Sequence, residues 1–80
     1  MELEERGGTL VITRLPVEQM GALSLGLVLT DQEGTVLRAL LEGKKVQVLD
    51  SGLEYKDYRR GAPLDIYQKF MALERGLREM

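Results

Sequence analysis

Thr30-Asp-Gln-Glu33, continuing through Gly34-Thr-Val-Leu-Arg-Ala-Leu-Leu-Glu-Gly43 into Lys44-Lys-Val-Gln-Val-Leu-Asp50, is the stretch whose reading decides the fold. Its first four residues have the S/T-x-x-E spacing of a capping box, in which a threonine hydroxyl accepts an early helical amide and a glutamate reaches back to the cap. Val36, Leu37, Leu40 and Leu41 then recur as an apolar helical stripe, and Gly43 stands where a left-handed residue ends a helix. Lys44 and Lys45 follow at the negative end of the helix dipole. Val46 to Asp50 reads as a short strand with Val46 and Val48 on one side.

Upstream, Ala22 to Leu29 alternates large and small: Leu23, Leu25, Leu27 and Leu29 against Ala22, Ser24, Gly26 and Val28. Period two predicts a strand, centred on Gly26 to Leu29, with a helix from Glu18 to Leu27 as the rival that Gly21 and Gly26 weaken. Strand, capped helix and strand in that order predict a βαβ unit with a right-handed crossover. Thr9 to Arg14 is β-branched and reads as another strand, closed by Pro16, which starts a helical turn over Val17 to Met20. Gly7-Gly8 separates it from an acidic segment, so residues 1–8 are expected to be a flexible leader and residues 9–80 one domain.

Downstream, Ser51-Gly-Leu-Glu54 has a second capping-box spacing and predicts a short helix from Leu53 to Arg60, closed by Gly61. Pro63 then opens a terminal helix over about 63–79, with Asp65 near its positive end. Ile66, Phe70, Leu73, Leu77 and Met80 give that helix a seam, widened by Tyr67 and Met71. The expected fold class is α/β: a small single domain with a short three- or four-stranded sheet, a βαβ unit and a C-terminal helix.

Composition excludes more chemistry than it suggests. The 80 residues hold no histidine and no cysteine, which removes disulfides, the usual zinc ligands and the histidine-dependent nucleophile pairs. No cofactor and no metal site are expected, because the carboxylates are scattered and Gly34 lies far from any dinucleotide or phosphate-loop fingerprint. A net charge of -2 gives no global attraction to polyanions. No apolar run is long enough to span a membrane, and the acidic start lacks the basic and apolar regions of a secretory signal, so a cytoplasmic protein is expected.

The candidate contact residues are Tyr55, Lys56, Tyr58, Arg59 and Arg60, with Phe70 and Met71 from the terminal helix. Tyrosine offers rigid amphipathic area and arginine a planar fork of donors, the chemistry of a protein contact. The competing reading buries the rings and leaves only their hydroxyls at the surface. Nucleic-acid binding by Lys44, Lys45, Lys56, Arg59 and Arg60 is the alternative class, opposed by the balance of six acidic and six basic residues from Asp50 onward. An enzyme would need Tyr55 or Tyr58 as proton donor, Arg59 for an anion and Asp57 or Glu54 as base. A small-ligand protein would use the amides of Thr30 to Thr35 for an anion.

Four segments carry a family likeness: the strand ending at Leu15-Pro16, Ala22-Leu-Ser-Leu-Gly-Leu-Val-Leu-Thr-Asp31, Ala39-Leu-Leu-Glu-Gly-Lys-Lys-Val-Gln-Val-Leu49, and Gly52-Leu-Glu-Tyr-Lys-Asp-Tyr58. In them the chain resembles small accessory proteins of propanediol- and ethanolamine-utilisation bacterial microcompartments. The resemblance implies an accessory or assembly role beside shell or cargo proteins. It carries no catalytic residue onto this chain. A protein partner, self-association or both are expected, self-association because a small sheet leaves edges and the terminal helix offers an apolar seam.

Overall fold

The computed structural model describes residues 1–79 as a small α/β domain with a three-stranded mixed sheet and a C-terminal helix. Strand β1 (Glu2–Arg6) pairs antiparallel with β2 (Thr9–Arg14), and β2 pairs parallel with β3 (Val46–Val48), giving the order β1-β2-β3. Between β2 and β3 the chain crosses over through α1 (Val17–Leu25) and α2 (Asp31–Leu41). Two short 3-10 helices, Asp50–Gly52 and Glu54–Tyr58, then lead to α3 (Leu64–Arg78).

The expected leader is instead the first strand. Gly7 and Gly8 have φ of 54° and 84°, and Arg6 faces Thr9 across them, so the pair is a two-residue hairpin turn whose twist matches the strands. Leu3, opposite Ile12, and Met1 pack against the core, while Glu2, Glu4 and Glu5 point charge outward along a sheet edge, which discourages further strand pairing. Leu10, Val11 and Ile12 of β2 are buried, because only the central strand has neighbours on both sides.

The alternating leucines do not form a strand. Pro16, with its φ of -64°, stands at the N-cap of α1, and Met20 donates its amide to the Pro16 carbonyl. The helical period then turns Gln19, Met20, Ala22 and Leu23 inward together. Gly26 adopts φ 70° and closes the helix, its amide and that of Leu27 folding back onto the carbonyls of Leu23 and Ala22. Leu25 at the helix end and Leu27, Val28 and Leu29 in the connection to α2 are left exposed. The β-α-β relation survives with β2 as its first strand and two helices in the crossover.

The capping box at α2 forms as its spacing predicts. Thr30 accepts the Gln32 amide on its hydroxyl, and Glu33 accepts the Thr30 amide. Val36 and Ala39 are buried with Glu33 and Gly34, whereas Leu41 is 87% exposed and does not belong to the stripe. Gly43, at φ 78°, ends the turn after the helix, and the Lys44 amide bonds the Ala39 carbonyl.

At Ser51 the second capping box is absent, since neither 3-10 helix has a side-chain cap. Glu54 points away from Ser51 and accepts the Val17 amide at 3.1 Å, serving the start of α1 instead. Gly52 lies against β2, where a Cβ would stand 2.7 Å from the Thr13 carbonyl carbon and closer still to its oxygen. On α3 the half-buried face is Tyr67, Phe70, Leu73, Glu74 and Leu77; Ile66 is 44% exposed and drops out of the predicted seam. Met80 lies outside the described residues.

Candidate contact surface

Leu15 and Leu53 join β2 to the segment after β3 by an isolated parallel bridge, anchored by bonds from the Leu15 amide to Gly52 and from the Glu54 amide to Leu15. That anchor fixes the rotation of the following 3-10 helix and splits its tyrosines. Tyr55 turns inward and is only 4% exposed, its ring centroid 5.3 Å from that of Tyr67 and 5.8 Å from that of Phe70. Tyr58 turns outward and is 55% exposed. The core reading therefore holds for one ring and the surface reading for the other.

The Tyr55 hydroxyl donates to the Glu74 carboxylate. Burial pushes the Tyr55 pKa well up, and the adjacent negative charge of Glu74 adds to it. Burial works against the charge of Glu74 too, but hydrogen bonds from Tyr55 and Arg78, with Lys56 nearby, outweigh it and lower its pKa. Tyr58 donates to Glu54 at 3.0 Å, which raises its own pKa.

Of the remaining candidates, Lys56 stands 3.7 Å from Glu74 and 3.8 Å from Asp50. Arg59 and Arg60 are exposed, and among the described residues they make neither side-chain hydrogen bonds nor ion pairs. Phe70 is half-buried under Tyr55, and Met71 is 48% exposed on the outer side of α3. The acids once paired with them in a catalytic reading are engaged elsewhere. Asp57 bonds Arg14 at 3.0 Å, and Glu54 holds the Val17 amide and the Tyr58 hydroxyl. Among the described residues no cluster of acids could hold a metal ion.

Two concavities flank the start of α3 and share Tyr55, Ala62 and Tyr67. One, of about 320 Å³, is walled by Val17, Tyr58, Pro63, Ile66 and Phe70 and is almost wholly apolar. The other is a wide groove of about 1100 Å³ bordered by Lys56, Arg59, Leu64, Met71 and Arg75. Leu64 and Ile66 extend the apolar surface at 67% and 44% exposure. Pro63 positions them: it starts α3 so that Tyr67 and Phe70 face the core, which leaves Leu64 and Met71 off that face. Ile66 instead shares the side of Phe70, Leu73 and Leu77 and is exposed in the first turn. For Leu64 and Met71, displacement from the Phe70-Leu73-Leu77 period was the available sequence signal; Ile66 keeps that period, and nothing local in the sequence marks its exposure.

Sequence reasoning also missed a polar cluster at the start of α2. Glu33 is fully buried and accepts the amides of Leu29 at 2.9 Å and Thr30 at 2.7 Å, together with the Thr30 hydroxyl and the Gln19 side-chain amide. Burial alone would push its pKa up, but these donors outweigh it and hold the carboxyl at about 2. Of the amides considered for an external anion, that of Thr30 is taken by this chain's own carboxylate and that of Gln32 by the Thr30 hydroxyl. Beneath α3 a recess of about 180 Å³ lies between Ile12, Val36, Leu40 and Leu77.

No helix among the described residues is long and apolar enough to cross a membrane. Comparison with protein-family models, curated proteins and solved structures found no match.

Proposed function

We propose that this protein is a non-catalytic interaction module that binds a protein partner through the face formed by the second 3-10 helix and the first turns of α3. The observation that carries this reading is the continuity of exposed apolar surface there. Tyr58 and Ile66 line the apolar concavity and Leu64 and Met71 the groove that adjoins it, all four 44–67% exposed, and α3 has no fully buried residue of its own. Contiguous apolar surface of this kind, rimmed by charge, is characteristic of binding sites rather than of idle surface. Tyr58 and Arg59 lie at its edge, with Arg60 exposed next in the chain, while Tyr55 and Phe70 support it from beneath.

The likeness to microcompartment accessory proteins makes shell and cargo proteins the first partners to offer it. Affinity capture with the full chain, compared with Ile66→Lys and Tyr58→Ala, tests the proposal. The same partner should be retained by the wild type and lost from both variants while their circular dichroism is unchanged. Equal retention by all three removes this face from the contact.

A second reading, self-association, is favoured by the end of α1 and the loop after it, where Leu25, Leu27, Val28 and Leu29 are 49–75% exposed. Mass in solution across a dilution series, with and without Leu27→Ser, tests it directly.

A further inference from the structure

We propose that the face beside α3 is shaped for an amphipathic helix whose polar side is acidic. This rests on the contact reading above and names the chemistry of the partner.

The charge inventory of the wide groove is one-sided. Lys56, Arg59 and Arg75 border it, against a single acid, Glu74. That acid already holds the Tyr55 hydroxyl, Arg78 and Lys56. Arg59 and Arg75 have no side-chain ion pair among the described residues. Two guanidinium groups therefore border a surface that contains no free carboxylate. They stand next to a concavity that offers almost nothing but carbon. A ligand that fills both needs an apolar side for one and a negative side for the other.

The surrounding backbone decides the conformation of that ligand. A 3-10 helix and an α-helix border the face, and neither presents a row of free strand amides and carbonyls. Recognition must run through side chains, as when an amphipathic helix lays its anchors in a groove, rather than through strand addition. A second copy of this chain fits poorly. The outer side of its α3 mixes Asp65 and the following Glu79 with Lys69 and Arg75, and that of its α2 sets Asp31 beside Arg38, so neither helix offers a uniformly acidic polar side. Nucleic acid would satisfy the arginines but leave the apolar concavity facing sugar and phosphate.

Three stapled helical peptides of about 18 residues, five turns, test this with the full chain. They share one Leu/Phe side and differ only in a polar side of Glu, Gln or Lys, and oligothymidylate serves as the polyanion control. By fluorescence anisotropy the Glu peptide should bind about ten-fold more tightly than the Gln peptide, the sum of two partly exposed ion pairs, with the Lys peptide weakest. Arg59→Ala with Arg75→Ala should erase that order without altering the fold, since both side chains are exposed. High salt should compress it. Ile66→Lys should weaken all three peptides.

Equal binding of the Glu and Gln peptides overturns the acidic preference while leaving the contact module standing. So does binding of oligothymidylate with none of the peptides. Absence of peptide binding altogether, or a dimer in solution that Ile66→Lys dissociates, also overturns the proposal. Affinity capture with Ile66→Lys and Tyr58→Ala judges the broader reading separately.

Discussion

Glu33→Gln isolates what a single negative charge does for this fold. The replacement keeps the shape of the side chain and can still accept the Leu29 and Thr30 amides on its oxygen. Those two bonds lose their charge assistance. On the other branch a new NH2 group would face the amide nitrogen of Gln19, donor against donor. Turning the Gln19 amide over would cure that clash, but its oxygen is already the acceptor for the Met1 amine. The Thr30 hydroxyl can rotate and adapts at little cost. Losing the assistance on two backbone bonds and opposing one buried amide costs about 2 kcal/mol in total.

For a domain of this size, that cost lowers the melting temperature by about 10 °C and the urea midpoint by roughly 2 M with an unchanged slope. The pH dependence supplies a second test. The folded pKa of Glu33 is about 2, below its ordinary 4.5, so its stabilisation is fully present above 4.5 and is lost as pH falls toward 2. The stability gap between wild type and Glu33→Gln should therefore close across that interval. A gap under about 0.5 kcal/mol at neutral pH, or one that stays constant down to pH 2, would refute the account of Glu33 as a buried charged acceptor.

The remaining predictions concern the segment after β3. Tyr55→Ala should destabilise by about 3–4 kcal/mol in urea unfolding, because it empties a ring site between Tyr67 and Phe70. Tyr58→Ala should stay within about 0.5 kcal/mol of wild type while weakening partner capture. Gly52→Ala should cost at least about 3 kcal/mol or prevent folding, measured by the yield of soluble monodisperse protein, since its Cβ would meet the Thr13 carbonyl of the central strand. The folded pKa of Tyr55 is raised above its ordinary 10.0, so its contribution to stability is complete below pH 10 and is lost above it. Alkaline titration followed by phenolate absorbance should show Tyr55 ionising only with unfolding, and Tyr55→Phe should remove that component.

Local chemistry was legible wherever the responsible atoms lie within a few residues of one another. Thr30 and Glu33 close a capping box three residues apart, and their sequence spacing announces it. Gly43 and the Val46–Val48 strand were readable for the same reason. The Gly7-Gly8 turn was equally local, but the acidic residues before it suggested solvent rather than an edge strand, which tolerates charge on its open side. The alternation of leucines from Leu23 to Leu29 fits two periods. Pro16 starting a helix and Gly26 ending one decided for the helix, with Met20 and Leu23 turned toward the sheet.

The sequence by itself determined the α/β class, the capped central helix, the last strand and the terminal helix. It also determined the absence of histidine and cysteine chemistry. These follow from residue identity and short-range spacing. Only the tertiary structure decided that Tyr55 is core and Tyr58 is surface, because the Leu15–Leu53 bridge sets the rotation of the segment between them. It likewise decided that Glu33 is buried beneath its own loop, that Glu54 serves α1 instead of Ser51, and that Arg59 and Arg75, sixteen positions apart, border one groove. Each depends on contacts between residues distant along the chain, whose approach no local period encodes.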